Sequence, residues 1–339
     1  MKKKILPIKE KKPFIIFFLF LLLILSILFN ILCGSVLVSL HDILEVLAGN
    51  DTSSTAHLLI TTVRIPRIFG GVLAGIGLSV SGVILQGVMN NSLASPNTIG
   101  VNSGAGFAVM LAMLLFPSYS STIPLFSFLG ALFTTLIIFL LAYLADSSRM
   151  TIILAGITVS SFLSAGINTI KLLDTDITVN LTSFMIGSLS GLTLNHLALP
   201  AVFILAAFFL ACLLGRFLNL LTLGDDIARS LGLHVGAVRF LLLVISSILA
   251  GCVVSFAGML SFVGLIVPHI CRQLFGNDAR FLIPCSALLG SSFVLLCDLL
   301  GRVLFSPFEL PVGILMSFIG GPFFLYLLLR RKGGRRIHA

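Results

Sequence analysis

The chain is a succession of long apolar runs broken by short polar stretches. No charged residue occurs from Pro13 to Leu40. Similar runs recur to the C-terminal end, at about 14–34, 60–88, 103–116, 124–145, 151–170, 197–218, 238–256, 259–274, 281–300 and 311–330. A helix needs about twenty predominantly apolar residues to cross the hydrocarbon core of a bilayer. The pattern therefore predicts an all-α integral membrane protein with about ten transmembrane helices, the third and eighth runs being the shortest. Residues 14–330 form one membrane domain between two basic tails, 1–13 and 331–339, with no room for a separate soluble domain. The first run resembles a signal peptide, but it is too long for an h-region and no small-x-small site closes it, so it reads as a retained first span. The connection 171–196 is longer than the others, and Ser183 to Leu192 is expected to form a short re-entrant or surface helix there.

Composition supports the same class. Hydrophobic residues make up 58% and charged residues 10% of 339 positions, against about 25% charged in soluble domains. The net charge of +9 is unevenly placed: ten of the 21 Lys and Arg lie in the two tails, and Arg330 adjoins the second. An even number of spans puts both tails on one side, together with Arg149, Arg216, Arg229, Arg239, Arg272 and Arg280. Arg64, Arg67, Lys171 and Arg302 then fall on the other side. Basic residues gather on the cytoplasmic side of membrane proteins, so both termini are expected in the cytoplasm. The tails suit contact with anionic lipid rather than nucleic acid. The six cysteines stand singly among apolar residues and form no CxxC pair, which reads as packing rather than disulfide or metal chemistry.

Three polar sets interrupt this pattern. Arg64, Arg67 and Arg302 lie on the outer side, against the charge rule. They are placed either to grip carboxylates of an external protein, since guanidinium pairs bidentately with carboxylate, or to pair locally, since Asp298 is one helical turn from Arg302. The second set, Gly224-Asp225-Asp226-Ile-Ala-Arg229-Ser230-Leu-Gly232, reads as a short inner helix. Its acids suit the positive end of the helix dipole and Gly232 suits its end. It is either a contact offered to a partner or an ordinary solvated loop. The third, Asn90 to Gly104, is uncharged but polar and either lines an inner mouth or forms a plain turn. Further on, Pro268 to Arg280 is a comparable inner segment, where His269 reads as a hydrogen-bonded helix-end residue. Gly71, Gly75, Gly77, Gly82 and Gly87 keep one flank of the second span thin, which lets helices approach closely. No Walker A sequence, GxSxG, HExxH or zinc-ligand spacing occurs. No catalytic residue, metal site or bound cofactor is expected. Asp298 and Glu309 are the acids near spans, both close to the outer face, which disfavours a proton-coupled carrier.

Taken in order, Arg64-Ile-Pro-Arg67, Gly71-Val-Leu-Ala-Gly-Ile-Gly77 with Gln86, Asn91-Ser-Leu-Ala-Ser-Pro96, Gly100-Val-Asn-Ser-Gly-Ala105, Leu223 to Gly232, Phe262-Val-Gly-Leu-Ile-Val-Pro-His269, and Glu309-Leu-Pro-Val-Gly313 with Gly320-Gly-Pro-Phe323 resemble the FecCD family of ABC-importer permeases, over about residues 57–330. The resemblance implies a type II ABC importer permease fold and a non-enzymatic subunit that carries a ferric siderophore, haem or cobalamin chelate. It implies a second copy or homologous permease, two ATP-binding subunits that use the ATP, and an extracytoplasmic binding protein. It assigns Gly224, Asp225, Asp226, Ala228, Arg229, Ser230 and Gly232 to coupling with the ATPase. Arg64, Arg67 and Arg302 are assigned to docking of the binding protein. Asn91, Leu93, Ser147 and Ser148 fall to an inner gate, where Ser92 stands in place of the family's usual proline. An ion-driven carrier that needs no ATPase is the competing reading.

Overall fold

The computed structural model describes residues 8–34, 38, 39, 41, 45, 46, 48, 55–116, 123–144 and 149–333. The elements are α1 (Ile8–Leu32), α2 (Thr55–Val88), α3 (Val101–Leu115), α4 (Ile123–Leu144), α5 (Arg149–Leu173), α6 (Thr175–Ile186), α7 (Leu194–Thr222), α8 (Asp225–Ser230), α9 (Val235–Ala257), α10 (Val263–Phe275), α11 (Ala279–Val303) and α12 (Val312–Gly333). No strand occurs among the described residues. Helices α1, α2, α4, α5, α7, α9 and α11 are long and apolar enough to cross a membrane, whereas α3, α10 and α12 are shorter apolar helices. At 1.5 Å per residue, α3 and α10 rise only about 22 and 20 Å, less than a bilayer core of about 30 Å. Their lead-ins, Asn90–Gly100 and Gly258–Phe262, run outside the α-helices.

Helix α2 is the axis of the bundle. It packs against α11, α9, α7 and α10, and most of its residues are buried, whereas α1, α5 and α7 expose large apolar side chains such as Phe17, Phe162 and Phe209. Lipid tails are as apolar as leucine, so helices in a membrane gain little from hydrophobic burial and associate through close packing and interhelical hydrogen bonds. The glycine flank of α2 supplies the packing. A β-carbon on Gly75 would stand 2.3 Å from the backbone of Ser291 in α11, and one on Gly82 would stand 1.9 Å from the carbonyl oxygen of Gly264 in α10. Hydrogen bonds cross the same seams. Ser291 Oγ donates to Val72 O at 3.0 Å, Ser81 Oγ donates to Ser246 O at 3.0 Å, and Gln86 Nε2 donates to Gly264 O at 3.0 Å.

The connection 171–196 differs from the expected helix at Ser183–Leu192. Its helix is α6, which ends at Ile186 because Gly187 takes φ +87°. The backbone beyond is held by other elements. Met259 N donates to Phe184 O, Ser188 N to Ala257 O, and Gly313 N to Gly187 O, at 2.9, 2.9 and 3.1 Å. The end of α6 is thus a seat for the α9–α10 corner and the start of α12.

Replacing Gly82 by alanine pushes a methyl group into a backbone carbonyl that has no side chain to yield, and overpacking of this kind costs about 1–3 kcal/mol or more. Purified Gly82→Ala protein is expected to unfold at a clearly lower temperature than the parent in the same detergent. Gly236→Ala, with open space around the added carbon, is expected to match the parent. Equal melting of all three would contradict the close contact.

Candidate functional site

Three adjoining concave regions form one continuous face. The first, about 430 Å³, lies beneath the α9–α10 corner and is lined by Leu93, Ser95, Pro96, Asn97, Leu260 and Ser261 among others. A second, about 550 Å³, shares Asn97 and runs along α5 past Ser160, Ser161, Ser164 and Asn168. The third, about 460 Å³, shares Ser261 and continues past Met259 to Ser317 on α12. Among the described residues, no acidic or basic side chain lines any of the three. Irregular backbone makes this face possible: Phe262 adopts φ +67° at the start of α10 and Gly258 φ +71° at the end of α9. Non-helical backbone at membrane depth is tolerated where it is covered by protein or lines a water-filled cavity. Ser160, Ser164 and Asn168 recur at helical spacing on one flank of α5, and Ser161 and Asn168 are exposed inside an otherwise apolar span. Those α5 positions were not singled out in the sequence. The signal was there, as polar residues at i, i+4 and i+8.

At one end of the bundle the three outer arginines converge, but they turn inward. Arg64, Arg67 and Arg302 are 3%, 6% and 4% exposed. Arg67 Nε donates to both oxygens of Asp298 at 2.9 and 3.0 Å, and its Nη1 donates to Glu309 Oε2 at 2.7 Å. Arg302 pairs with Asp298 at 3.1 Å and donates to Asn30 Oδ1. Arg64 donates to the carbonyl of Ile31. Of the two arrangements open to these residues, local pairing is the one adopted, and the exposure that a direct grip needs is absent. The cluster joins the end of α1 to α2 and α11. Its carboxylate is shared by two guanidiniums because a charge at membrane depth must be paired.

At the opposite end lies α8. Gly224 enters it at φ +112° and Gly232 leaves it at φ +82°, conformations that disfavour side chains. Asp226 and Arg229 stand 3.6 Å apart and are well exposed, so their pair adds little stability. Asp225 is different: both its oxygens accept from Arg239 Nη2, at 2.8 and 2.7 Å. Ala228 is fully buried, while Leu223, Ile227 and Leu231 are more than half exposed. The hydroxyl of Ser230 donates to Ile227 O. This short helix is pinned by one face and by Arg239, and it presents an apolar and charged surface outward. Arg239, on α9, was not among the sequence candidates because its pairing with Asp225 is decided by how α9 returns beneath α8.

Beside α8, Asn91 and Ser92 line a cavity of about 520 Å³ with Gln86, Asn219, Leu223 and Arg272. Asn91 Oδ1 accepts from Leu93 N at 3.0 Å, which shapes the turn after α2, and Leu93 itself faces the adjoining polar surface. Ser147 and Ser148 lie outside the described residues. His269 hydrogen-bonds Gln273 at 3.0 Å and meets Phe323 edge-on. Asp278 caps α11 through the amide of Arg280. Hydrogen bonds from the Arg280 side chain, and then from Asn219, hold the Asp278 carboxyl well below the usual carboxylate range.

Comparison with known proteins agrees with this geometry. Residues 22–330 match the FecCD transport family. The chain is 38% identical over 314 residues to the iron-uptake system permease protein FeuB of Bacillus subtilis, covering 92% of this chain and 94% of that one. It is 35% identical over 324 residues to the hemin transport system permease protein HmuU of Yersinia pestis, covering 94% and 96%. Its fold superposes with a TM-score of 0.82 on a solved structure described as an inward-facing metal-chelate type ABC transporter, at 30% identity over 94% of this chain and 99% of that one. The ordered run of motifs, the all-helical bundle around α2 and these likenesses together place the chain in the FecCD transport family.

Proposed function

We propose that this protein is the membrane-spanning permease subunit of an ATP-binding-cassette importer and carries a ferric siderophore or a related metal chelate across the bacterial cytoplasmic membrane. The observation that carries the reading is the uncharged polar face of α5, α10 and α12. Serine and asparagine exposed along a span are poorly placed against lipid, and they gain if a second copy of the chain, or a homologous permease, encloses them around a water-filled path. A chelate moves through such a path best when the walls bind it weakly, which neutral side chains do.

In this reading all ten apolar helices traverse or enter the bilayer, and both termini lie in the cytoplasm with α8. The exposed face of α8 seats in one of two ATP-binding subunits, which hydrolyse the ATP; the permease itself has no catalytic part. Closure of those subunits pushes α8, and the Asp225–Arg239 pair passes the push to α9. From there it reaches the α9–α10 corner, which forms the wall of the polar face. The turn at Asn91 and Leu93, with Ser147 and Ser148, closes the inner mouth. On the outer side, the cluster of Arg64, Arg67 and Arg302 around Asp298 and Glu309 meets an acidic binding protein. Glu309, the more exposed acid, is the partner that an incoming carboxylate replaces on Arg67. An ion-coupled carrier is disfavoured because the polar face carries no ionisable side chain.

Leucine at Ser161, Ser164 and Asn168 together is expected to reduce chelate uptake by proteoliposomes of the full transporter at least tenfold, with ATP hydrolysis retained; undiminished uptake would remove the pathway from this face. The Arg239→Ala protein is expected to keep its fold but to lose most uptake per ATP hydrolysed, and unchanged coupling would show that α8 acts without that pair. Glu309→Gln frees one side of Arg67 and is expected to tighten binding-protein docking severalfold in a surface-binding assay. Weaker docking would sink the exchange on Arg67.

A further inference from the structure

Three arginines at the α8 end are matched to acids, while Arg216 is exposed and lies over the ring of Phe217. Arg239 pairs with Asp225, Arg229 with Asp226 and Arg280 with Asp278. Arg272, in the last turn of α10, is half-buried. Its hydrogen bond among the described residues goes to Oε1 of Gln86, a neutral amide. That amide is itself fixed, since its nitrogen donates to Gly264 O. The guanidinium is therefore held by one corner and opens onto the cavity of about 520 Å³ between the ends of α2 and α7 and the start of α11. Among the described residues no acid lines that cavity, whereas Asn90, Asn91, Ser92, Asn219, Thr222 and Asn277 do. Asp278, the nearest acid in sequence, is turned to Arg280 and Asn219.

A partly desolvated guanidinium with no acid partner among the described residues, in a chamber walled by neutral hydrogen-bonding side chains, is complementary to a small anion. Cavities of this size are typical of small-molecule sites, and guanidinium binds carboxylate and phosphate oxygens through parallel N–H bonds. We propose that this cavity binds a small anion bearing a carboxylate or phosphate group, with Arg272 as its principal contact. The site is separate from the polar face along α5. Its walls join three elements: the turn at Asn90–Ser92, Leu223 at the entry to α8, and the Asn277–Ala279 link into α11. An anion held by Arg272 and the asparagine amides bridges the turn after α2 to the segment that carries α8, and so resists their relative movement. The occupant is either a soluble anion or an anionic lipid headgroup, which share this chemistry.

The test uses the full chain in phosphatidylcholine nanodiscs, titrated with citrate and with inorganic phosphate at constant ionic strength and followed by calorimetry and thermal unfolding. Saturable binding of at least one of them is expected, weakened tenfold or more by Arg272→Gln. Asn277→Asp, an exposed position on the cavity wall, places a negative charge at the site without touching Arg272 and is expected to weaken it similarly. It decides the matter if Arg272→Gln protein fails to fold. Loss of the binding in nanodiscs containing phosphatidylglycerol identifies a headgroup as the occupant, and its persistence identifies a soluble anion. No saturable binding by the parent, an equal response to chloride, or binding unchanged in Asn277→Asp would overturn the proposal.

Discussion

The close approach of α2 to its neighbours is the constraint on which the rest of the molecule depends. A bilayer offers no hydrophobic reward for placing one apolar helix against another. What holds this bundle is backbone against backbone at Gly75 and Gly82, with serine and glutamine hydrogen bonds across the same seams. Because α10 meets α2 with the Gly264 carbonyl where a β-carbon on Gly82 would be, it can be short and still be fixed. That in turn allows its start, Phe262, to line the polar face in a left-handed backbone conformation.

Charge is handled differently at the two ends. At the arginine end, Asp298 lies between two guanidiniums and all three groups are buried. Such a cluster is weak evidence of stability in itself, since desolvation offsets much of the attraction, yet removing one member leaves another uncompensated. Its structural effect is to tie α1, which otherwise faces lipid, to α2 and α11. At the α8 end the pairs are more exposed, and the interaction with geometric consequence is Asp225 with Arg239. One acid of the Asp225-Asp226 pair thus anchors α8, and the other stays at its surface.

The polar face also shows why short helices matter in a transporter. A full-length span has all its backbone groups satisfied and can only slide or tilt. The lead-in segments Asn90–Gly100 and Gly258–Phe262 instead place backbone outside the α-helices, with Ser95, Asn97 and Ser261, on the polar face. The end of α6 holds the second of these segments through Phe184 O and the start of α12 through Gly187 O, so the face has a fixed floor.

The sequence by itself determined the class and the course of the chain. Runs of apolar residues have one stable solution in lipid, the helix, and each run from Pro13 onward corresponds to one. Motif order along the chain carried the family, and the glycine spacing in α2 carried its close packing. Three things were decided only by tertiary structure. Whether Arg64, Arg67 and Arg302 face outward or inward depends on where Asp298, Glu309, Asn30 and Ile31 arrive, from residues up to 272 positions away in the case of Arg302 and Asn30. The partner of Asp225 was hidden because Arg239 lies fourteen residues on, beyond any helical repeat. The helix in 171–196 ends at Ile186 rather than starting nearby, because Gly187 turns to φ +87° where Met259 and Gly313 take the carbonyls of Phe184 and Gly187. In each case a local pattern states which groups need partners, and only the assembled fold supplies them.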